Sequence, residues 1–287
     1  MTDECVIDAE VDIDALARRV GELPPLPDAL AEAVRALGQD SVPTARVIGL
    51  IERDQALAAR MLRLANSSFY GVPGRVGSIA DSVRLLGLRT VTSVLAAVSL
   101  RTAIGRPACE GFSFEDYWRH ALAAALTARQ LAVRVGLDPD EAFIAGLLHD
   151  VGRLVLVVHY PQAMARVFEA AREQGLAVRD VERRLLGIGH DEVGAMVTRH
   201  WHLPASLSEA IGSHERPAVP VEGVRCSLGC VVHVANTLAH VLDAGPVGDD
   251  SAPLLAADLW RALGLSAAEA TAMLKATEAG LEALTAV

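Results

Sequence analysis

Aromatic side chains make up only 4% of the 287 residues, and lysine occurs once, at Lys275. Few aromatics, and no short β-branched runs recurring at strand spacing, argue against a sandwich or barrel. Cysteine is also scarce: Cys5, Cys109, Cys226 and Cys230 include no C-x-x-C pair. Reduced thiols are therefore expected, rather than a disulfide or zinc framework. No run of about 18 uncharged apolar residues, the length of a membrane span, is read in the chain. The N-terminus, MTDECVIDAEVDID, is acidic and lacks an apolar core. No secretory signal is expected there, which places the chain in the cytoplasm without a membrane partner. Basic residues number 26 against 36 acidic ones, a net charge of −10. Without a basic stripe, nucleic acid is not an expected partner.

What the chain has in abundance is Ala and Leu, within a hydrophobic fraction of 52%. Both are strong helix formers, and the expected class is all-α. After an acidic tail (1–11), a helix is expected from Asp14 to Val20. The prolines of LPPLP (23–27) end it and start the next. Helices follow at 28–37, 44–53 and 55–66. Ser78-x-x-Asp81 caps one that runs to Leu86, with Gly87 beyond, and another spans 89–104. Gly105, Pro107 and Gly111 mark the internal boundary. Ser113-x-x-Asp116 then opens a long helix to about Val135, and Asp138-Pro139 opens another that runs unbroken to Pro161. Further helices are expected at 161–174, 178–186, 190–201 and 205–214, the last capped by Ser206-x-x-Glu209. One more is expected at 225–243. A linker at 244–251 leads to two closing helices in 252–287, the second announced by Ser266-x-x-Glu269.

The chemistry centres on His149–Asp150. Ile144, Leu147, Leu148, Val151, Val155 and Val158 form the apolar stripe around the pair. Both side chains therefore point inward, where an ionised Asp needs a cation or several donors. His120, His190 and His214 stand on separate expected helices that can face it. Histidines and a carboxylate from different helices are how bundles build metal sites. Each histidine alone is more commonly a structural or surface residue. His159, His200, His202, His233 and His240 are read that way, and Asp191 as a solvated acid at a helix start. Asp116 can share the face of His120 or simply cap its helix.

The motifs LPPLP, IERDQALAARMLRLANSSFYG, SIADSVRLLGLRTV, YWRHALAAA, AFIAGLLHDVGRLVL, GHDEVGAMVTRHWHLP and AIGSHERP occur in this order. In these the chain resembles the HDOD proteins, the "HD-related output domain" group of the HD superfamily, from about Leu23 to His240. The resemblance implies one HDOD domain over 12–243. Its N-terminal helical part (12–105) packs on an HD-like bundle (110–243), with residues 252–287 as a helical extension. It also implies a bacterial signalling or regulatory role with signalling proteins as partners. For most such domains no enzymatic activity is established. Relatives with true HD sites hydrolyse phosphoesters with one or two metal ions, and their ligands map onto His120, His149 and Asp150. Dinuclear cyclic-dinucleotide phosphodiesterases add positions matching Asp116, His190 and His214.

The chain also departs from those enzymes. Asn236 stands where they close the site with Asp, Glu215 stands where they have a second His, and their GYP signature is missing. An amide oxygen supplies no charge and bridges two ions poorly. The expectation is one divalent ion (Fe, Mn, Zn or Mg) on His120, His149, Asp150, His190 and His214, and no catalytic residue. The resulting reading is a non-catalytic regulatory domain. The competing reading is a metal-dependent phosphohydrolase in which Arg153 steadies the phosphate. A nucleotide ligand and self-association are left open.

Overall fold

A computed structural model describes residues 11–23, 25–37, 43–67, 69–70, 76–104, 106–219, 226–242 and 257–285. Among these residues there are sixteen helices and no strand. Residues 1–10 of the acidic tail and the expected linker at 244–251 lie outside them.

In the first half, α1 (Ile13–Gly21), α2 (Asp28–Leu37), α3 (Thr44–Glu52), α4 (Gln55–Ala65), α5 (Ile79–Leu86) and α6 (Leu88–Ile104) follow the expected order. Ser78 caps α5 by accepting the Asp81 N–H. Beyond the boundary, α7 (Phe114–Val135) starts at Ser113, whose hydroxyl accepts the Asp116 N–H. This helix is the axis of the fold. It lies against α8 (Pro139–Leu148), α14 (Leu228–Val241) and α16 (Ala267–Thr285). The other helices are α9 (Val151–His159), α10 (Pro161–Gln174), α11 (Val178–Leu186), α12 (His190–His200), α13 (Ala205–Ser213) and α15 (Ala257–Leu263).

The two halves share a core. One apolar cluster joins Leu30, Met61, Leu64 and Leu95 from the first half to Leu126, Phe143 and Leu148 from the second. An ionic network, largely buried at Arg129 and Asp140 and half-exposed at Arg89 and Asp138, ties the same seam. Arg129 pairs with Asp140 and donates to Thr90 Oγ1 at 2.6 Å, while Arg89 donates to Asp138 at 2.6 Å. A second cluster seats α1, through Leu16 and Val20, on the α9–α12 layer beside Val151 and Val193. In space, α1 therefore belongs with the HD-like part. The C-terminal helix α16 also packs into the body: Thr277 Oγ1 lies 3.1 Å from Thr127 Oγ1, and Gly280 faces Leu126 and Phe69.

Several expectations need correction. The apolar run Pro139–His159 has 21 residues and a mean hydropathy of 1.5, so it is long and apolar enough to cross a membrane. Asp150 and Arg153 interrupt it, so it is not an uncharged run, and 89% of its most apolar 18 residues is buried among the other helices. The expected unbroken helix from Pro139 is instead divided into α8 and α9 by a turn at His149–Asp150. Asp150 there adopts φ −99°, ψ 13°, outside helical geometry. Ser206 does not cap α13: Pro204 is its N-cap, and the Ser206 hydroxyl donates to Glu141 instead. Ser266 and Glu269 do cap α16 reciprocally. Cys109, Cys226 and Cys230 are free thiols, with Cys226 lying ahead of α14 rather than on it. Cys5 is outside the described residues.

Candidate metal centre

Two glycines let the helices converge. A Cβ on Gly146 would sit 2.8 Å from Ala125 Cα, so α8 rests directly on the α7 backbone. A Cβ on Gly152 would meet His190 O at 2.0 Å and Gly194 N at 2.4 Å, so α9 rests on α12 in the same way. The turn at His149–Asp150 lies between these contacts. It receives His120 from α7 on one side and His190 from α12 on the other.

All five expected residues meet there. His149, His190 and His214 are fully buried, with His120 1% and Asp150 2% exposed. His120 Nε2 lies 3.3 Å from His149 Nε2. The Asp150 oxygens divide the centre. Oδ2 is 3.6 Å from His149 Nε2 and 3.1 Å from Arg153 Nη1, while Oδ1 is 3.2 Å from His190 Nε2 and 3.6 Å from His214 Nε2. Two sets of donors are close enough to hold a metal ion: His120, His149 and Asp150, and Asp150, His190 and His214. Asp150 belongs to both.

The outer nitrogens of three histidines are tied down. His149 Nδ1 lies 2.7 Å from Gly146 O, His214 Nδ1 lies 2.7 Å from Ile211 O, and His190 Nδ1 lies 2.6 Å from Glu182 Oε2. An Nδ1–H donated outward leaves Nε2 directed at Asp150, the orientation of metal-ligating imidazoles. His233, read as structural, pins the end of α13 with Nδ1 2.7 Å from His214 O.

Charge separates the two sides. Burial, then the neighbouring imidazoles of His240 and His149, holds His120 well below the ordinary histidine range. Burial likewise lowers His149 to about 4, against the opposing pull of Asp150. On the other side burial acts in the same direction but is outweighed. The Glu182 carboxylate keeps His190 well above its usual value, and Asp150 and Glu215 raise His214 to about 9. Burial would raise Asp150 and Glu215, yet Arg153, His149 and His190 hold Asp150, and His190 and His214 hold Glu215, well below the carboxylate range.

Other residues fall differently from the sequence reading. Asp116 is exposed at the start of α7 and does not reach the centre. Asp191 is not solvated: it is 2% exposed and receives Arg179 Nε at 2.9 Å and Nη2 at 2.8 Å. Arg153, read as a phosphate holder, is committed to Asp150 and lies 3.9 Å from Glu182 Oε1. Glu215 occupies the position of a missing histidine but still faces the centre, 3.4 Å from His214 Nε2 and 3.5 Å from His190 Nε2. Asn236 is buried on α14. Glu182 was missed because it stands among Arg179, Arg183 and Arg184 and reads as a solvated acid. Its place four residues after the buried Val178 is the signal that puts it on the inner face.

An all-helical bundle with a histidine–aspartate centre at a helix junction has the architecture of the HD superfamily. The HDOD domain model matches residues 23–217, and the chain belongs to that family. Among solved structures, an HDOD domain protein of unknown function from Geobacter sulfurreducens is 25% identical. Its TM-score is 0.77, with 96% of this chain and 100% of that one covered. A protein provisionally named a phosphohydrolase, from Shewanella amazonensis SB2B, is 30% identical with a TM-score of 0.69, covering 94% and 98%. The MmoQ response regulator of Methylococcus capsulatus is 27% identical with a TM-score of 0.51, covering 88% and 98%. An uncharacterised protein of Treponema pallidum (strain Nichols) is 29% identical over 211 residues. The match takes in 72% of this chain and 40% of that relative's length.

Proposed function

We propose that this HDOD domain is a non-catalytic regulatory module with one divalent ion at its buried centre, acting through signalling-protein partners. The observation that carries the reading is the set of three Nδ1 contacts to Gly146, Ile211 and Glu182, which turn three Nε2 atoms onto one carboxylate. The donor set fits an ion. Asp150 Oδ1 and His214 Nε2 are buried without a hydrogen-bond partner among the described residues, as is Asn236 Oδ1. His120, His149 and Asp150 are the primary holders in this reading, with His190 and His214 closing on the second Asp150 oxygen. Imidazole-rich ligation favours Fe, Mn or Zn over Mg²⁺.

When bound, the ion supplies charge neutralisation and a cross-link between α7, α12 and the α8–α9 turn. Burial of the ligands favours a structural over a hydrolytic role, because catalytic sites keep an open coordination position. Arg153 acts in the same direction by claiming Asp150 Oδ2. Similarity to a response regulator supports a place in signalling, and the net charge of −10 argues against a nucleic-acid partner. Localisation in the cytoplasm belongs to the same reading.

The alternative is a metal-dependent phosphohydrolase. It is favoured by the sharing of Asp150 between two donor sets and by the Shewanella neighbour. The two readings separate in one assay. Purified protein given Mn²⁺, Fe²⁺ or Mg²⁺ should release no product from cyclic dinucleotides or bis(p-nitrophenyl) phosphate above a metal blank. Turnover that disappears in Asp150→Ala would establish the hydrolase instead.

A further inference from the structure

Helix α9 has two working faces. Gly152 and Arg153 turn towards the centre, whereas Val151, Leu154, Val155 and Val158 wall a separate cavity of about 450 Å³. Leu23, Pro27 and Leu100 from the N-terminal part close it on one side, and Trp201 from the end of α12 on the other. Its volume falls within the roughly 300–1,000 Å³ of small-molecule sites, and it lies at a junction between structural parts, where such sites concentrate.

The charged and titratable groups of the lining are Arg19, Glu22 and His159, of which Arg19 and Glu22 are exposed and mark the rim. The Arg19 guanidinium carbon stands 5.3 Å from the centroid of the Tyr160 ring, which holds the cation beside the opening. Among the described residues no carboxylate ion-pairs with Arg19, and it is the neighbouring Arg18 that reaches Asp12, at 3.7 Å. Glu22 sets one negative charge on the same rim and disfavours a second anionic group on a ligand. The His159 imidazole adds a hydrogen-bonding edge. An apolar cavity with one available guanidinium at its mouth selects a molecule with an apolar body and a single negative head.

We propose that this cavity binds a small amphipathic organic anion, of the medium-chain carboxylate class, with its tail against α9 and Trp201 and its head on Arg19. The site is distinct from the histidine–aspartate centre and needs no metal. Because its wall is the helix that begins at Asp150, an occupant would contact the element that carries the centre.

Trp201 supplies the readout. Decanoate should quench its fluorescence saturably, and Trp201→Phe should remove that response. Decanol and decyltrimethylammonium should bind about tenfold more weakly, the value of one charge-assisted hydrogen bond. Arg19→Gln, at an exposed position, should erase the preference for decanoate over decanol. Val158→Phe, at a side chain 42% exposed, should block the cavity while leaving Tm unchanged. The proposal is overturned if no saturable quenching occurs, if the ammonium binds as tightly as decanoate, or if Arg19→Gln or Val158→Phe retains wild-type decanoate affinity.

Discussion

Replacing Gly152 with alanine tests how the centre is assembled, because two physical effects there have opposite signs. Within a helix, Gly→Ala favours the folded state by up to about 1 kcal/mol. At Gly152, however, the new Cβ would lie 2.0 Å from His190 O and 2.4 Å from Gly194 N. Both are backbone atoms of α12, so no side-chain rotation relieves the clash. Overpacking a tight contact costs typically 1–3 kcal/mol, and immovable neighbours place this case at the upper end, about 3 kcal/mol. The net loss is then about 2 kcal/mol, or roughly 3 °C in Tm for a chain of this size. Gly49 in α3 is the control, since a Cβ there meets nothing within 4 Å. Thermal melts and urea titrations of both variants should show Gly152→Ala falling and Gly49→Ala level or rising. A Gly152→Ala protein as stable as wild type would refute the claim that backbone contact at this residue sets the spacing of Asp150 and His190.

Other perturbations read different parts of the structure. Glu182→Gln removes the charge that holds His190 Nδ1 and should weaken divalent-metal affinity about 10-fold or more, measured by titration of metal-free protein. Unchanged affinity would separate Glu182 from the centre. Asp140→Asn leaves Arg129 largely buried without its carboxylate, side chains that are 10% and 14% exposed. It should cost about 2 kcal/mol in urea unfolding, and joint replacement of both by apolar residues should recover much of that. Burial would raise the Asp138 carboxyl, but hydrogen bonds from Arg89 and from the Glu141 and Asp140 N–H groups hold it below its usual range. Its stabilisation is therefore present above the unfolded value of about 3.9 and fades as pH falls through the lower folded one. Asp138→Asn should flatten that acid limb of the stability profile and leave the neutral region's slope unchanged.

Most of the helix pattern was legible because its signals are local. Ser78, Ser113, Asp138 and Ser266 mark helix starts by bonds that span two or three residues, and all four act as caps or capping partners in the structure. The five residues of the centre were legible as well, through their histidine and aspartate chemistry and the family motifs. What failed was non-local. The division between α8 and α9 falls between the close backbone contacts that Gly146 and Gly152 make with α7 and α12, and no local sequence signal announces contacts between separate helices. Asp191 looked like a solvated acid because its partner Arg179 lies on another helix, and Glu182 was hidden for the same reason. Ser206 fits a capping pattern, yet tertiary contact gives its hydroxyl to Glu141.

The central claim is that the buried histidine–aspartate cluster holds a metal ion. Elemental analysis of protein purified without a polyhistidine tag tests it most directly, with His149→Ala as the paired control. About one equivalent of a transition metal in wild type, lost in His149→Ala, is the predicted result. Metal-free wild-type protein that stays metal-free after incubation with Fe²⁺, Mn²⁺ or Zn²⁺, or equal metal in both proteins, would contradict it.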